Sequence, residues 1–194
     1  TINVSGVVNV NGAVGTDFGT LSVTNSGGLS FGGAVGGAVD IVPVIELTAT
    51  SGLISFADNL YAGDITNGGG SFELNLYGAT TDVTSNVSLG TSGTVRFGNG
   101  GDALGFTGGL VHSSGSNVVN GNITTTDTEL TLNSATSVTG NSTLAAGSGV
   151  ITLGAVTIAD STLLTIGSGG SGDVTIASLA GTAGGVADSS SATI

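Results

Sequence analysis

Residues 117 to 181 read NVVNGNITTTDTELTLNSATSVTGNSTLAAGSGVITLGAVTIADSTLLTIGSGGSGDVTIASLAG, and short alternating strands recur throughout this stretch. The Ser-Thr-Leu at positions 142–144 returns at 161–163, and VTIAD at 156–160 returns as VTIAS at 174–178. A third motif occurs as LTLN from position 130, ITLG from position 151 and LTIG from position 164. Repeats with a period of about 20 residues are typical of a chain built from stacked, similar units.

The composition is that of a folded β protein. Of the 194 residues, 37 are Gly, one is Pro and 7% are charged, and the remainder is rich in Ser, Thr, Asn, Val and Ala. A disordered Gly/Ser tract would lack the alternating Val, Ile and Thr seen here. We predict one all-β domain over residues 1–194, with an irregular or capping part at 1–70 and regular short-strand repeats at 71–194.

The charge balance restricts the possible partners. Arg96 is the only Lys or Arg against 13 acids, which gives a net charge of -12. A basic patch that could release counterions from phosphates is therefore absent, which argues against a nucleic-acid or anionic-membrane partner. No apolar run approaches the roughly 18 residues of a membrane helix, so we expect no transmembrane segment.

The residue usage also indicates a location. The chain contains no Cys and no Met, and residue 1 is Thr, so we expect processing or excision, with a removed secretion signal as the natural explanation. Many bacterial surface proteins dispense with disulfides. We therefore predict a secreted protein at the cell surface.

The first strand begins at the first residue, because Ile2, Val4, Val8 and Val10 alternate with small polar partners. Pro43 interrupts the most apolar stretch, residues 39–55, which predicts an edge, bulged or broken strand there, or a capping segment. Residues 56–64 could hold one helical turn. Residues 98–109 read as a loop.

Two all-β architectures fit this pattern. Repeats of about 20 residues, with Gly and Asn at corners and small residues where turns approach, favour a parallel β-solenoid (β-helix). The irregular first part of the chain favours an antiparallel β-sandwich of the pilin or surface-layer type. We predict the solenoid and keep the sandwich as the alternative.

The segment at about 128–181 resembles the repeats of bacterial surface exoproteins. TLNSA at 131–135, VTGNSTL at 138–144 and GSGVITLG at 147–154 are similar to filamentous-haemagglutinin-like adhesins and autotransporter passengers. The resemblance implies a right-handed parallel β-helix, secretion, and a role in adhesion or in building a matrix such as that of a biofilm. It implies no residue-level function.

Calcium is the one metal that the sequence suggests. FGNGGDAL at 97–104 resembles a single copy of the Gly- and Asp-rich calcium-binding β-roll repeat, with Asp102 as the ligand. Such sites need successive turns to enclose each ion, and no second copy lies in phase. A Gly-rich loop is the better interpretation, and we predict no other cofactor.

Catalytic groups are sparse. Asp127 and Glu129, at alternate positions, would share the face of one strand, at a separation that glycosidases use, but nothing nearby in the sequence would raise one pKa. His112 has no second His or Cys as a metal partner, and Arg96 alone would have to neutralise an acidic sugar. We expect that the protein is not an enzyme.

The remaining features concern assembly and modification. If the strand with Ile2, Val4, Val8 and Val10 joins the sheet of a neighbouring subunit, the chain polymerises by strand addition; otherwise these residues form its own first coil. The sequence contains four N-glycosylation sequons, at Asn3, Asn86, Asn122 and Asn141.

We therefore predict an extracellular, non-catalytic structural protein. It would be a self-assembling subunit or repeat segment of a cell-surface fibre, adhesin or layer, with a homo-polymer or surface assembly as its partner. The alternatives are an adhesin module that binds a glycan or host surface and, less favoured, a carbohydrate-active β-helix enzyme.

Overall fold

The computed structural model describes residues 1–48, 51–167, 169–182 and 190–194, and the regular structure of these residues is entirely β-strand. The strands are β1 (Ile2–Asn3), β2 (Val7–Val10), β3 (Thr20–Asn25), β4 (Gly28–Phe31), β5 (Val42–Leu47), β6 (Leu53–Phe56), β7 (Leu60–Asn67), β8 (Glu73–Leu76), β9 (Thr80–Val83), β10 (Val87–Leu89), β11 (Thr94–Phe106), β12 (Leu110–His112), β13 (Ser116–Thr125), β14 (Leu130–Leu132), β15 (Ala135–Val138), β16 (Ser142–Ala145), β17 (Ile151–Ile158), β18 (Leu163–Ile166), β19 (Val174–Gly181) and β20 (Ser191–Thr193).

The strands stack as a parallel β-solenoid of about 8 turns. Each strand pairs in parallel with the equivalent strand of a neighbouring coil. Among the described residues, three sheets run along the solenoid. Face 1 contains β2, β4, β6, β8, the first parts of β11 and β13, β15, and the last parts of β17 and β19. Face 2 contains the first part of β7, β9, the last parts of β11 and β13, β16, β18 and β20. Face 3 contains β1, β3, β5, the last part of β7, β10, β12, β14, and the first parts of β17 and β19.

The core consists of columns of inward side chains, one residue per coil. The column richest in aromatic residues lies on face 1 and runs through Val10, Phe31, Phe56, Leu76, Phe97, Val119, Val138, Ile158 and Gly181. The rings of Phe31 and Phe56 are stacked, with centroids 4.9 Å apart, and Phe97 meets Phe106 edge to face at 6.3 Å. Val, Leu and Ile side chains fill most of the remaining interior.

The predicted all-β parallel solenoid is confirmed, and the antiparallel sandwich is wrong. The stacking register nevertheless differs from the sequence repeats. Leu130 pairs with Ile151, as the third motif predicts, but the start of β19 at Val174 lies on Ile151 and not on Val156. Similar motifs recur on different faces, because each face needs the same alternation of inward apolar and outward polar residues.

Several local expectations are corrected. Residues 60–64 belong to β7, so 56–64 contains no helical turn, and β11 continues through most of the stretch expected to be a loop. The first strand is divided in two: β1 on face 3 and β2 on face 1. Pro43 lies near the start of β5. The neighbouring strand β3 begins at Thr20, which pairs with Val44, so Pro43 has no partner residue in β3. The missing N–H of Pro43 therefore costs no hydrogen bond to β3.

Candidate functional site

A buried polar chain replaces the apolar column at one corner between faces 3 and 1. His112 is fully buried; its Nδ1 lies 2.6 Å from Asn117 Oδ1 and its Nε2 lies 3.1 Å from the carbonyl oxygen of Thr91. Asn117 Nδ2 donates to Thr136 Oγ1 at 3.2 Å, in the next coil. The chain therefore ties three successive coils together through side chains.

The columns explain why these groups meet. His112 stands between Leu89 and Leu132, and Asn117 stands between Val95 and Thr136. Both side chains point inward because the strand alternation places them there. Since the imidazole has no solvent-accessible surface, His112 orders the interior and cannot meet a substrate at the surface.

We expect His112→Leu to lower the free energy of unfolding by about 1–3 kcal/mol, because Asn117 Oδ1 loses its partner inside an apolar interior. The double variant His112→Leu/Asn117→Leu should cost less than the sum of the two single changes, since it removes both polar partners. Urea unfolding of the four proteins of this cycle measures the difference. Strict additivity would contradict the coupling.

Asparagine side chains extend the backbone ladders at the corners. In each case the amide oxygen accepts a hydrogen bond from a backbone N–H one coil later, at 2.7–3.1 Å: Asn59 from Thr80, Asn67 from Gly90, Asn122 from Thr143 and Asn141 from Leu163. A side-chain amide carries the same acceptor as a peptide group, so it completes the ladder where the backbone turns away. Asn122 and Asn141, two of the sequon residues, thus have a structural role for their amide oxygens.

Face 3 opens between β7 and β10. Asn67 bridges the two strands there: its Nδ2 donates to Ser88 O at 2.7 Å, and its Oδ1 accepts from Gly90 N at 2.7 Å. A shallow cleft of about 340 Å³ lies beside this bridge, lined by Asp64, Ile65, Thr66, Asn67, Asn86, Ser88 and Gly90. Its one carboxylate and several hydroxyl and amide groups resemble the rest of the outer surface.

Asp102, the calcium candidate, is engaged within β11, at the end of the stretch where the pairing register with β13 shifts. Its Oδ2 accepts a hydrogen bond from Asn99 N at 2.7 Å, and its side chain is largely buried. Among the described residues, no three His, Cys, Asp or Glu side chains come together in a group that could hold a metal ion. The carboxylate thus ties together the Gly-rich irregularity of β11 between Phe97 and Asp102.

The paired-carboxylate hypothesis fails on geometry. Asp127 lies in a turn with a φ of 56°, and only Glu129 leads into β14, so the two do not share one strand. Asp127 Oδ1 accepts from the backbone N and the Oγ of Ser148, at 2.8 and 3.0 Å, whereas Glu129 Oε1 accepts from Asn86 Nδ2 at 3.4 Å. Each carboxylate therefore has a separate structural partner.

Two hydrogen bonds from Ser148 lower the pKa of the exposed Asp127 carboxyl from its ordinary value of 3.8. The bond from the backbone N–H has the larger effect, and the bond from the side-chain hydroxyl has the smaller one. A lowered folded-state pKa stabilises the protein above the unfolded pKa, and this contribution is lost as the pH falls through the folded-state pKa. We expect Asp127→Asn to lose stability relative to wild type near neutral pH. The difference should shrink as the pH falls below 3.8 and through the lowered folded-state pKa.

Thermal melts of both proteins from neutral to strongly acidic pH measure this difference. Asn accepts the left-handed backbone conformation of position 127, so the substitution isolates the charge. Ser148→Ala removes the weaker of the two donors and should give an intermediate result. A difference in melting temperature that stays constant with pH would contradict the linkage.

The remaining candidates are dispersed. Arg96 lies on the outer side of face 1, in register with Asn75 and Val118. Five of the six phenylalanines are fully buried, and the two tyrosines, Tyr61 and Tyr77, are half-buried on separate segments. The described outer surface therefore has no aromatic platform, and it does not bring Arg96 together with Asp127 or Glu129.

The predicted assembly strand is divided. Ile2 pairs with Val23 on face 3, whereas Val8 and Val10 pair with Leu29 and Phe31 on face 1. Val4 lies between the two strands, exposed, with its N–H bonded to Asn25 O at 3.1 Å. These residues form the first coil of the chain's own solenoid, and their use in assembly remains a prediction.

No family model, curated protein or solved structure matches the chain. Within the part of the chain that the structure describes, no helix is long and apolar enough to cross a membrane.

Proposed function

We propose that the chain is an extracellular structural protein, a self-assembling subunit or repeat segment of a cell-surface fibre, adhesin or layer. The observation that carries this proposal is the unbroken inward column on face 1. The column through Phe31 and Phe56 has one member at each level, from Val10 to Gly181. Bending such a rod would strain ladders on three faces and the packing between them.

The outer surface supports a mechanical role. The candidate carboxylates Asp102, Asp127 and Glu129 are occupied by structural hydrogen bonds from Asn99, Ser148 and Asn86. The resemblance of residues 128–181 to filamentous-haemagglutinin-like and autotransporter-passenger repeats agrees with a secreted, surface-attached rod. A surface with almost no Lys or Arg also offers few sites to trypsin-like proteases.

The runner-up is an adhesin module that binds a glycan. The observation in its favour is Arg96, the only Lys or Arg of the sequence, on face 1 next to Asn75, whose buried Oδ1 has no hydrogen-bond partner. The lack of an outward aromatic platform in the described residues weighs against it, because sugar rings commonly pack on aromatic faces. Binding of an acidic glycan that Arg96→Gln abolishes would favour this alternative.

Negative-stain electron microscopy and limited proteolysis test the structural role. At about 4.8 Å per coil, the stack forms a rod about 40 Å long, or multiples of that length after assembly. We expect straight particles and thermolysin cleavage confined to protruding loops, with the strands intact. Globular or flexible particles that thermolysin degrades throughout would overturn the proposal.

A further inference from the structure

The first and last described coils have inward apolar side chains that are partly exposed. At the first described coil, Val8 and Val10 pack on the second coil and are only partly buried. At the last described coil, Leu179 is 41% exposed although it continues a buried column. Among the described residues, the outer edges of β1, β2 and β19 have no strand partner, and apolar side chains at both levels are partly exposed.

The same columns begin at one end and finish at the other. Val8 starts the face 1 column that finishes at Leu179, and Ile2 starts, on face 3, the line of inward positions that finishes at Ile176. All pairings between the described strands are parallel, so the last coil offers the edge that the first coil can extend. A second copy placed on the end would thus set Val8 on Leu179 and Ile2 on Ile176.

The third column supplies a complementary shape. It finishes at Gly181, which leaves Ile158 without a side chain above it. A cavity of about 170 Å³ opens there, lined by Ile158, Leu179, Ala180, Gly181, Ser190, Ser191 and Ala192. Val10 begins this column, so Val10 of a second copy would lie over Gly181 and fill the cavity.

The ends also lack the devices that keep sheet edges apart. Strands β1, β2, β19 and β20 contain no Pro and no charged side chain. Natural proteins usually protect an exposed edge with charge, Pro or a bulge. In a chain of net charge -12, these strands are a place where two copies can approach with little repulsion.

We propose that a second copy of this chain stacks on the solenoid end, head to tail, with Val8 and Val10 of one copy on Leu179 and Gly181 of the other. This inference rests on the proposed structural function and names its contact surface. Because the two surfaces differ, each addition leaves the same pair of ends free, and the product is an open filament.

Two charged variants test the polarity. Val8→Lys should block the first-coil end, and Leu179→Lys should block the last-coil end. Wild type should grow with concentration in sedimentation velocity, each variant alone should remain monomeric, and an equal mixture should form only dimers, through the two intact ends. Val7→Lys is the matched control, since Val7 is 69% exposed on the outer side of the same strand, and it should assemble like wild type.

A disulfide test reads the register without touching the core. The chain has no Cys, so Val7→Cys/Ser178→Cys introduces the only two thiols. In the proposed stack these positions are direct partners about 4.8 Å apart, within the range of a disulfide, and mild oxidation should give a ladder of covalent multimers. The control Val7→Cys/Ala155→Cys places the second thiol at Ala155, which pairs with Ser178 but lies one coil further from the contact. It should give at least tenfold fewer covalent multimers.

The outcomes separate this inference from the proposed function. Straight, protease-resistant monomers at every concentration, or a mixture of the two Lys variants without dimers, would overturn the head-to-tail contact and leave the structural role standing. Assembly blocked by Val8→Lys alone would indicate a symmetric contact and would also overturn it. Circular dichroism of each variant confirms that the solenoid is folded.

Discussion

We expect Phe56→Ala to lower the free energy of unfolding by about 3–5 kcal/mol, the range for removing a fully buried aromatic ring. Phe56 has no exposed surface and stacks on Phe31 at a centroid distance of 4.9 Å and an interplanar angle of 13°. The ring also covers Leu76 in the next coil. Removing it leaves a void between two coils that the flanking ladders hold at a fixed spacing.

Guanidinium unfolding followed by far-UV circular dichroism measures the loss. Leu53→Ala is the matched control, because Leu53 lies on the same strand, β6, but points outward and is 43% exposed. Its cost should stay below about 1 kcal/mol. Equal losses in the two variants would mean that the Phe31–Phe56 column does not hold the coils together.

The alternation of the strands could be predicted from the sequence, and the stacking could not. Alternating Val, Leu and Thr determines which residues of a strand face inward, and this prediction succeeds for Leu74 and Leu76 on β8. It does not say which strand lies on which, since ITL at 151–153 fits LTL at 130–132 and LTI at 164–166 equally well. Only the corner geometry decides that Leu164 stacks on Ser142.

The corners could not be predicted because their hydrogen-bond partners come from another coil. Asn122 and Asn141 read as turn residues or sequons, yet each one caps a backbone N–H of the following coil. Asp127 read as a strand residue, but its bond to Ser148 holds it in a turn. The length of each coil determines which residue of the next coil lies opposite a corner residue. A local sequence pattern therefore cannot predict that hydrogen-bond partner.

The buried polar chain was missed for a related reason. A lone His in a strand that reads LVH gives no sign of its partners, since Thr91 and Asn117 come from the neighbouring coil and strand. One signal was available: Asn117 and Thr136 both fall on inward positions of their strands. Two polar residues at the same inward position of successive coils predict a buried hydrogen bond.

We expect Gly115→Ala to lower the free energy of unfolding by about 2–5 kcal/mol, the sum of two costs. Gly115 has a φ of 69°, a conformation that costs an L residue about 1–2 kcal/mol. A Cβ there would also overlap the carbonyl oxygen of Gly93, in the preceding coil, and lie 2.8 Å from Ser92 C and O. Overpacking against such a backbone costs about 1–3 kcal/mol more.

Gly101→Ala separates the two costs. Gly101 has nearly the same φ, 75°, but nothing lies within 4 Å of its Cβ position, so only the conformational cost of about 1–2 kcal/mol should remain. Urea unfolding of both variants gives the difference, which is the energy of the steric contact between coils. If the two variants lose the same stability, the coils separate at this corner at no cost. Coil spacing would then be set by the inward columns alone, and the absence of side chains at positions 93 and 115 would play no part in it.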